Sequence, residues 1–223
     1  MEDIAFASNH CGRQRRVFLC DGDALIVPQK RLMNILKEIE KQLPWVTRVG
    51  AYANCKSLKM KTLDELKALK AHGLGILYAT SKEMIQMGIK ARAAGMKLSI
   101  TVLLGIAGKK RSHVHARETG RVLSAIDPEY VGALTLMLIP GTPLHQDCVD
   151  GKFPLLEPDE MLNELKNMIA GTELSKGLFH ANHASNYLPI KARLPKDKAK
   201  TLNLIDNALA GKIDLKPEFL RAF

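Results

Sequence analysis

The chain has 223 residues, 46% of them hydrophobic, which suffices for one ordinary core in a single domain. Only 5% of the residues are aromatic, so recognition of nucleic-acid bases by stacked rings is not expected to be its main activity. The formal net charge is +10, which predicts either a solvated basic surface or a nucleic-acid partner. The candidates for that contact form two short clusters: Arg13, Arg15 and Arg16, and Lys109, Lys110 and Arg111.

The sequence also bears on where the protein works. No apolar run approaches the roughly 20 residues that cross a bilayer, and the N-terminus does not have the pattern of a secretory signal. The four cysteines, Cys11, Cys20, Cys55 and Cys148, are widely spaced and predict reduced thiols. We therefore expect a cytoplasmic protein with no membrane partner.

Strand and helix patterns alternate along the chain. Apolar, β-branched runs predict strands over residues 16–20, 46–53, 75–79, 97–104 and 131–139. Helix start signals lie between them: Pro28, Thr62 with Glu65, Thr80 with Glu83, Ser112 and Pro158. After residue 171 the sequence becomes polar and irregular, and it ends in one more predicted helix, KAKTLNLIDNALAG.

This alternation predicts a parallel sheet covered by helices. Right-handed crossovers place the carboxyl ends of parallel strands at one edge, where α/β proteins bind ligands. Glycine-containing turns follow the strands that end near Cys20, Leu104 and Ile139. We therefore expect a small-molecule site at the strand ends.

The turn after residue 104 has the sequence GIAGKKRS. Gly105 and Gly108 would let the backbone approach a ligand, and the basic residues that follow would form a loose anion site before a helix. The alternative is that these glycines serve turn geometry alone. Pro140, Gly141 and Thr142 have the same two interpretations.

Several stretches together resemble one family. They are VFLCDGDAL, RVGAYANCKSL and the long segment from LSITVLLGIAGKK to LIPGTPL. They are similar to the radical SAM superfamily, in the Elp3/MiaB/NifB-like branch with its coproporphyrinogen-oxidase-like relatives. The resemblance implies a partial (β/α) barrel of parallel strands that lacks the first strand. It also implies three parts: an N-terminal segment (1–15), the partial barrel (16–171) and an irregular and helical C-terminal extension (172–223).

The resemblance also implies cofactors and site residues. S-adenosylmethionine (SAM) would lie at the strand ends, its ammonium bound by the turn Asp21, Gly22 and Asp23. Polar residues of the next strand and the glycine turns would complete the site: Tyr52, Asn54, Gly105, Gly108, Pro140, Gly141 and Thr142. For each position the alternative is a structural role, such as a turn, a cap or a core side chain.

Two departures from the family pattern limit the implied function. The CxxxCxxC motif that holds the family's [4Fe–4S] cluster is absent, and a segment after the GILYAT strand is deleted. We therefore expect a truncated family member that is not radical-active alone. The alternative is a non-catalytic binding or scaffold module with a basic surface for nucleic acid or anions.

The strand at residues 16–20 would have an unpaired edge if no strand precedes it. The sequence therefore predicts a homo-oligomer through this edge, or pairing of the edge by residues 4–8. His113 with His115, and His180 with His183, are spaced like metal ligands, but no metal site is expected. The polar segment around these last two histidines predicts a hydrogen-bonded loop or, as an alternative, a lid.

Overall fold

Parallel strands alternate with helices through most of the chain, as the sequence predicts. The computed structural model describes residues 2–20, 22–80 and 84–222. By its internal contacts the chain divides into two units, Met1–Ile100 and Thr101–Phe223. We describe each unit by itself, and the strand that crosses residue 100 contributes to both.

Unit 1 contains a parallel sheet whose strands follow the chain order β1-β2-β3-β4. Its elements are α1 (Glu2–His10), β1 (Arg16–Leu19), α2 (Gln29–Gln42), β2 (Arg48–Asn54), α3 (Cys55–Met60), α4 (Leu63–Ala71), β3 (Leu74–Thr80), α5 (Met84–Ala93) and β4 (Lys97–Leu104). A short 3-10 turn, Ala24–Ile26, lies between β1 and α2.

The core of unit 1 forms between the sheet and its helices. Leu32, Leu36 and Ile39 recur on one face of α2 and are buried, because a 3.6-residue period aligns them. Helix α4 begins with the predicted capping box, in which Thr62 and Glu65 exchange hydrogen bonds of 3.1 and 2.7 Å. The second predicted capping box, Thr80 with Glu83, falls partly outside the described residues.

The segment before β1 differs from the prediction. Residues 4–8 belong to helix α1, so the expectation that they pair with the strand edge is wrong. Glu2 and Asp3 lie in the first turn of α1, where carboxylates favour helix formation. The Ser8 hydroxyl of α1 donates to the Gln42 carbonyl at 3.2 Å.

Unit 2 begins with the end of β4, and its strands follow the order β4-β5-β6-β7. Strands β5 and β6 are parallel, and β6 and β7 are antiparallel. The remaining elements are α6 (Ser112–Ile126), β5 (Tyr130–Thr135), α7 (Pro143–Val149), α8 (Pro158–Ala170), β6 (Leu178–Ala181), β7 (Ile190–Arg193) and α9 (Lys198–Leu209). The 3-10 turns of this unit are Lys109–Arg111 and Glu218–Leu220.

Two predictions for unit 2 need correction. The segment after residue 171, predicted to be irregular, forms β6 and β7. Strand β5 ends at Thr135, earlier than the predicted residue 139. Beyond it, Leu136 donates its N–H to the Leu104 carbonyl at 2.9 Å and accepts at its own carbonyl from Arg221 at 3.2 Å.

Arg221 anchors the C-terminal segment of unit 2 through buried hydrogen bonds. Its guanidinium is buried, donates to the Ser185 carbonyl at 2.7 Å and lies 4.1 Å from the centre of the Tyr187 ring. Burial, and then the hydrogen bond to Glu218, raise the pKa of Tyr187 to about 12. A buried charge paired in this way fixes the geometry of the segment around it.

The fold class is therefore mixed α/β with parallel strands, as predicted. In neither unit do the described strands close on themselves, so the finer prediction of a partial barrel stays a prediction. The predicted domain boundaries at residues 15 and 171 also stay untested. Within the described ranges, no helix combines the length and apolar character needed to cross a membrane.

Candidate ligand-binding site

In unit 1, Asp23 connects the turns that follow β1 and β2. One carboxylate oxygen, Oδ1, accepts from the Leu25 N–H at 3.1 Å and from the Ser57 hydroxyl at 2.9 Å. The other, Oδ2, accepts from the Asn54 N–H at 3.1 Å. A carboxylate has about four lone-pair sites, so Asp23 retains capacity for one more donor.

The neighbours of Asp23 in the predicted acidic turn are described only in part. Gly22 has a φ of +74°, and no heavy atom lies within 4 Å of the position a Cβ would take. That position is therefore open. Asp21, also predicted to bind a ligand, lies outside the described residues.

A cavity of about 480 Å³ lies beside this turn in unit 1, within the range typical of small-molecule sites. It is lined mainly by apolar side chains of β1, α2 and the turn between them, such as Val17, Leu19 and Leu32. Its charged lining residues are Asp3 of α1 and Asp23. A mainly apolar cavity with two carboxylates favours a ligand that carries positive charge.

The predicted site residues of β2 have different surroundings. Asn54 caps α3, since its side-chain oxygen accepts from the Ser57 N–H at 3.0 Å; this matches the structural alternative for that residue. Tyr52 is 51% exposed. Its ring lies 4.9 Å from the ring of Phe18 on β1, in an edge-to-face arrangement.

In unit 2, the turn after β4 is held by a buried carboxylate. Glu164 of α8 accepts from the Gly105 N–H at 2.9 Å, from His115 Nδ1 at 2.9 Å and from the Ser112 hydroxyl. Burial is the largest influence on the pKa of Glu164 and raises it, but the hydrogen bonds from His115, Ser112 and Gly105 together hold that pKa below its ordinary value. Glu164 is therefore a carboxylate anion at neutral pH.

The glycines of this turn face packed side chains. Gly105 and Gly108 have φ values of +83° and +66°, a region that L side chains rarely adopt. A Cβ at Gly105 would lie 2.9 Å from Met161 Sδ, and one at Gly108 would lie 3.1 Å from Phe153 Cε2. The space beside the Cα of each glycine is thus filled by a side chain, which supports the structural alternative for both glycines.

The turn after β5 gives a mixed result. Thr142 caps α7: its hydroxyl accepts from the His145 N–H at 3.3 Å and donates to the Ile139 carbonyl at 2.8 Å. Gly141 has a φ of +83° and no heavy atom within 4 Å of a Cβ position, and Pro140 is exposed. Thr142 therefore has a structural role, while the other two residues stay open to solvent.

The two predicted basic clusters differ in their surroundings. Lys109 pairs with Glu160 at 2.6 Å, and this hydrogen bond raises the pKa of Lys109; Lys110 and Arg111 are exposed. In unit 1, Arg13, Arg15 and Arg16 are all exposed.

The net positive charge is distributed unequally between the two units. Unit 1 contains 17 Lys and Arg against 9 Asp and Glu, whereas unit 2 contains 16 against 14, so most of the net charge belongs to unit 1.

The cysteines do not fit an iron–sulfur cluster. Cys20 is exposed at the end of β1, Cys55 is buried at the start of α3, and Cys11 and Cys148 are half-buried. Within residues 2–20, 22–80 and 84–222, no group of three or more Cys, His, Asp or Glu side chains is placed to hold a metal ion. A [4Fe–4S] cluster needs three or four thiolates converging on it, and we derive no step through such a cluster.

The polar segment of residues 182–186 belongs to the packing of unit 2. The Asn186 side chain donates to the Ala133 carbonyl at 2.9 Å and accepts from the Thr135 hydroxyl at 2.8 Å. Ser185 accepts from the Thr135 N–H at 3.2 Å. These bonds make the segment a hydrogen-bonded loop and do not support the alternative of a lid.

Three residues important for these turns were not singled out from the sequence: Glu164, Ser57 and Phe18. Glu164 had a detectable signal, because it lies at helical spacing from the buried Met161 and Met168. A carboxylate on the apolar face of a helix needs buried donors. Ser57 and Phe18 had no comparable signal.

Comparison with known proteins finds a similar fold in a solved structure. No protein-family model and no curated protein matches the sequence. Among solved structures, the chain is similar to the archaeal Methanocaldococcus infernus Elp3 with an N-terminus deletion (1-46), with a TM-score of 0.51 and 11% sequence identity. The match covers 95% of this chain and 57% of that chain. At this identity the match is a likeness of fold alone.

Proposed function

We propose that the chain is a binding protein of the radical-SAM-like type that takes SAM in the unit 1 cavity, beside the carboxyl end of β1. The observation that carries this proposal is the position of Asp23 at the wall of the unit 1 cavity, with one acceptor position unused. The fold likeness and the sequence resemblance support the choice of SAM among cationic ligands.

The chemistry of SAM suits this cavity. Its ammonium and sulfonium groups outweigh its single carboxylate in charge, and the faces of its adenine ring provide apolar surface. Asp23 would accept a charge-assisted hydrogen bond from the ammonium, and Asp3 adds a second negative charge to an otherwise apolar wall. Reductive cleavage of SAM is not part of the proposal, because the cysteines do not fit a cluster.

Calorimetric titration of the full chain with SAM tests the proposal. We expect saturable binding and weaker binding of S-adenosylhomocysteine, whose sulfur is uncharged. Asp23→Asn should weaken SAM binding about 10- to 150-fold, since a hydrogen bond to a charged group contributes about 1.5–3 kcal/mol. Asp64→Asn, an exposed change on α4, is the matched control and should bind like the parent.

Two results would contradict the proposal: no SAM binding at millimolar concentration, or equal binding by the parent and Asp23→Asn. Thermal unfolding of each variant shows whether a loss of binding reflects a loss of fold. Iron and sulfide analysis with EPR after anaerobic reconstitution tests the cysteines separately. A stoichiometric [4Fe–4S] signal would overturn the conclusion that they do not fit a cluster.

A further inference from the structure

The face of β1 and β2 that carries Phe18 and Tyr52 combines two exposed rings with two arginines. Side chains on a strand alternate between its faces, so Arg16 and Phe18 lie on the same face of β1. Arg16 is the register partner of Arg48, and Phe18 is the register partner of Gly50. Arg16, Phe18, Arg48 and Tyr52 therefore share one face of the sheet in unit 1, which we call the β1–β2 face.

The two arginines are placed unfavourably for an isolated protein. Like charges directly opposite each other on neighbouring strands destabilise a sheet. Neither guanidinium forms an ion pair or a side-chain hydrogen bond with any residue that the structure describes. An anion between Arg16 and Arg48 would remove this repulsion.

The two rings add a second requirement for the ligand. Phe18 is 38% exposed and Tyr52 is 51% exposed, so both present ring surface to solvent. Phe18 follows Arg16 by two residues, about 6.6 Å along the strand, a distance that one nucleotide spans between its phosphate and its base. Exposed rings beside cationic side chains are the combination that binds single-stranded nucleic acid, because bases stack on rings while phosphates pair with cations.

We propose that the β1–β2 face binds single-stranded nucleic acid without strong sequence preference. Arg16 and Arg48 contact a phosphate, and Phe18 and Tyr52 stack with bases. Arg13 and Arg15 are exposed just before β1 and extend the positive charge beyond one phosphate. This favours an oligonucleotide over a mononucleotide. The charge excess of unit 1 favours the same partner.

The test is fluorescence anisotropy of a labelled oligouridylate of about 12 nucleotides, titrated with the full chain at several salt concentrations. We expect affinity to fall with salt, and the slope of log K against log salt to decrease by about 0.7 in the double variant Arg16→Gln, Arg48→Gln, because the two arginines share one phosphate contact. Phe18→Leu and Tyr52→Leu, which keep apolar bulk in the strands, should each weaken binding about 5- to 150-fold.

Matched controls lie in unit 2. Arg117→Gln and Phe219→Leu change an exposed arginine and an exposed phenylalanine, and both variants should bind like the parent. Asp23→Asn should also keep oligouridylate binding, which separates this proposal from SAM binding at the cavity.

Several outcomes would overturn the proposal. One is the absence of salt-dependent binding. A second is equal affinity for single-stranded RNA and an RNA duplex of the same length, together with unchanged binding by the two leucine variants. A third is binding of uridine monophosphate as tightly as the oligonucleotide, which would identify a nucleotide pocket instead.

Discussion

The turns at the carboxyl ends of the parallel strands are built differently in the two units. In unit 1, Gly22 has open space around it and Asp23 lies at the wall of a cavity. In unit 2, Gly105 faces Met161 and Gly108 faces Phe153, with Glu164 buried behind the turn. A glycine after a strand therefore marks a backbone conformation, and residues distant in sequence decide whether the space beside it is free for a ligand.

Removal of the buried carboxylate in unit 2 gives the largest expected effect. Glu164→Ala leaves the Gly105 N–H, the Ser112 hydroxyl and His115 without their acceptor in a buried site. We expect a loss of about 3–5 kcal/mol in the free energy of unfolding, measured by urea denaturation. Glu118→Ala, at an exposed ion pair, is the control and should cost much less. Equal stability of the two variants would show that Glu164 does not hold the turn.

A matched pair of glycine changes tests the contrast between filled and open turns. Gly105→Ala adds a clash with Met161 to the strain of a positive φ and should cost about 2–4 kcal/mol. Gly22→Ala adds the strain alone and should cost about 1–2 kcal/mol. Thermal or urea unfolding measures both. If Gly22→Ala proved the more costly change, the space around Gly22 would not be open.

The ionisation of Glu164 is expected to change the free energy of unfolding with pH by less than the substitutions above. Because the pKa of Glu164 is lower in the folded chain than its ordinary value, its ionisation stabilises the fold above the unfolded pKa of about 4.3. This stabilisation is lost as the pH falls through the folded pKa. We expect the urea midpoints of the parent and of Glu164→Gln to differ at about pH 6, and this difference to shrink progressively as the pH falls below about 4.3.

High salt provides the control for this titration. Screening weakens the exposed Glu118 ion pairs but acts much less on a buried carboxylate. The difference between the parent and Glu164→Gln should therefore persist at about 1 M salt. A difference that vanished with salt would place its origin at the surface.

Much of the fold was predictable, because local signals agree with the tertiary structure. The strand at residues 97–104 and the helices that begin at Ser112 and Pro158 have the predicted bounds or start points, since apolar period and start signals coincide there. Strands β6 and β7 were not predicted, because each has only four residues and so gives little periodic signal. Their pairing depends on partners elsewhere in the chain.

The candidate site was less predictable than the fold. The turn after the predicted strand, together with the family resemblance, identified Asp23 as a candidate, but neither gave information on the cavity, which α1 and α2 help to form. The low aromatic content argued against base stacking, yet two of the few rings lie exposed and adjacent on neighbouring strands. Composition counts residues, whereas a binding surface depends on which of them share a face.

The buried Arg221 has a consequence for how the chain is made. Residues up to 100 form unit 1, so the contacts internal to this unit can form once residue 100 has been synthesised. The main-chain carbonyls of Leu136 and Ser185 receive their donor only after Arg221 has been added. At about 5–20 residues per second, unit 2 waits roughly 6–24 s longer than unit 1. Chaperones that act on nascent chains would therefore meet unit 2 with the Arg221 contacts still missing.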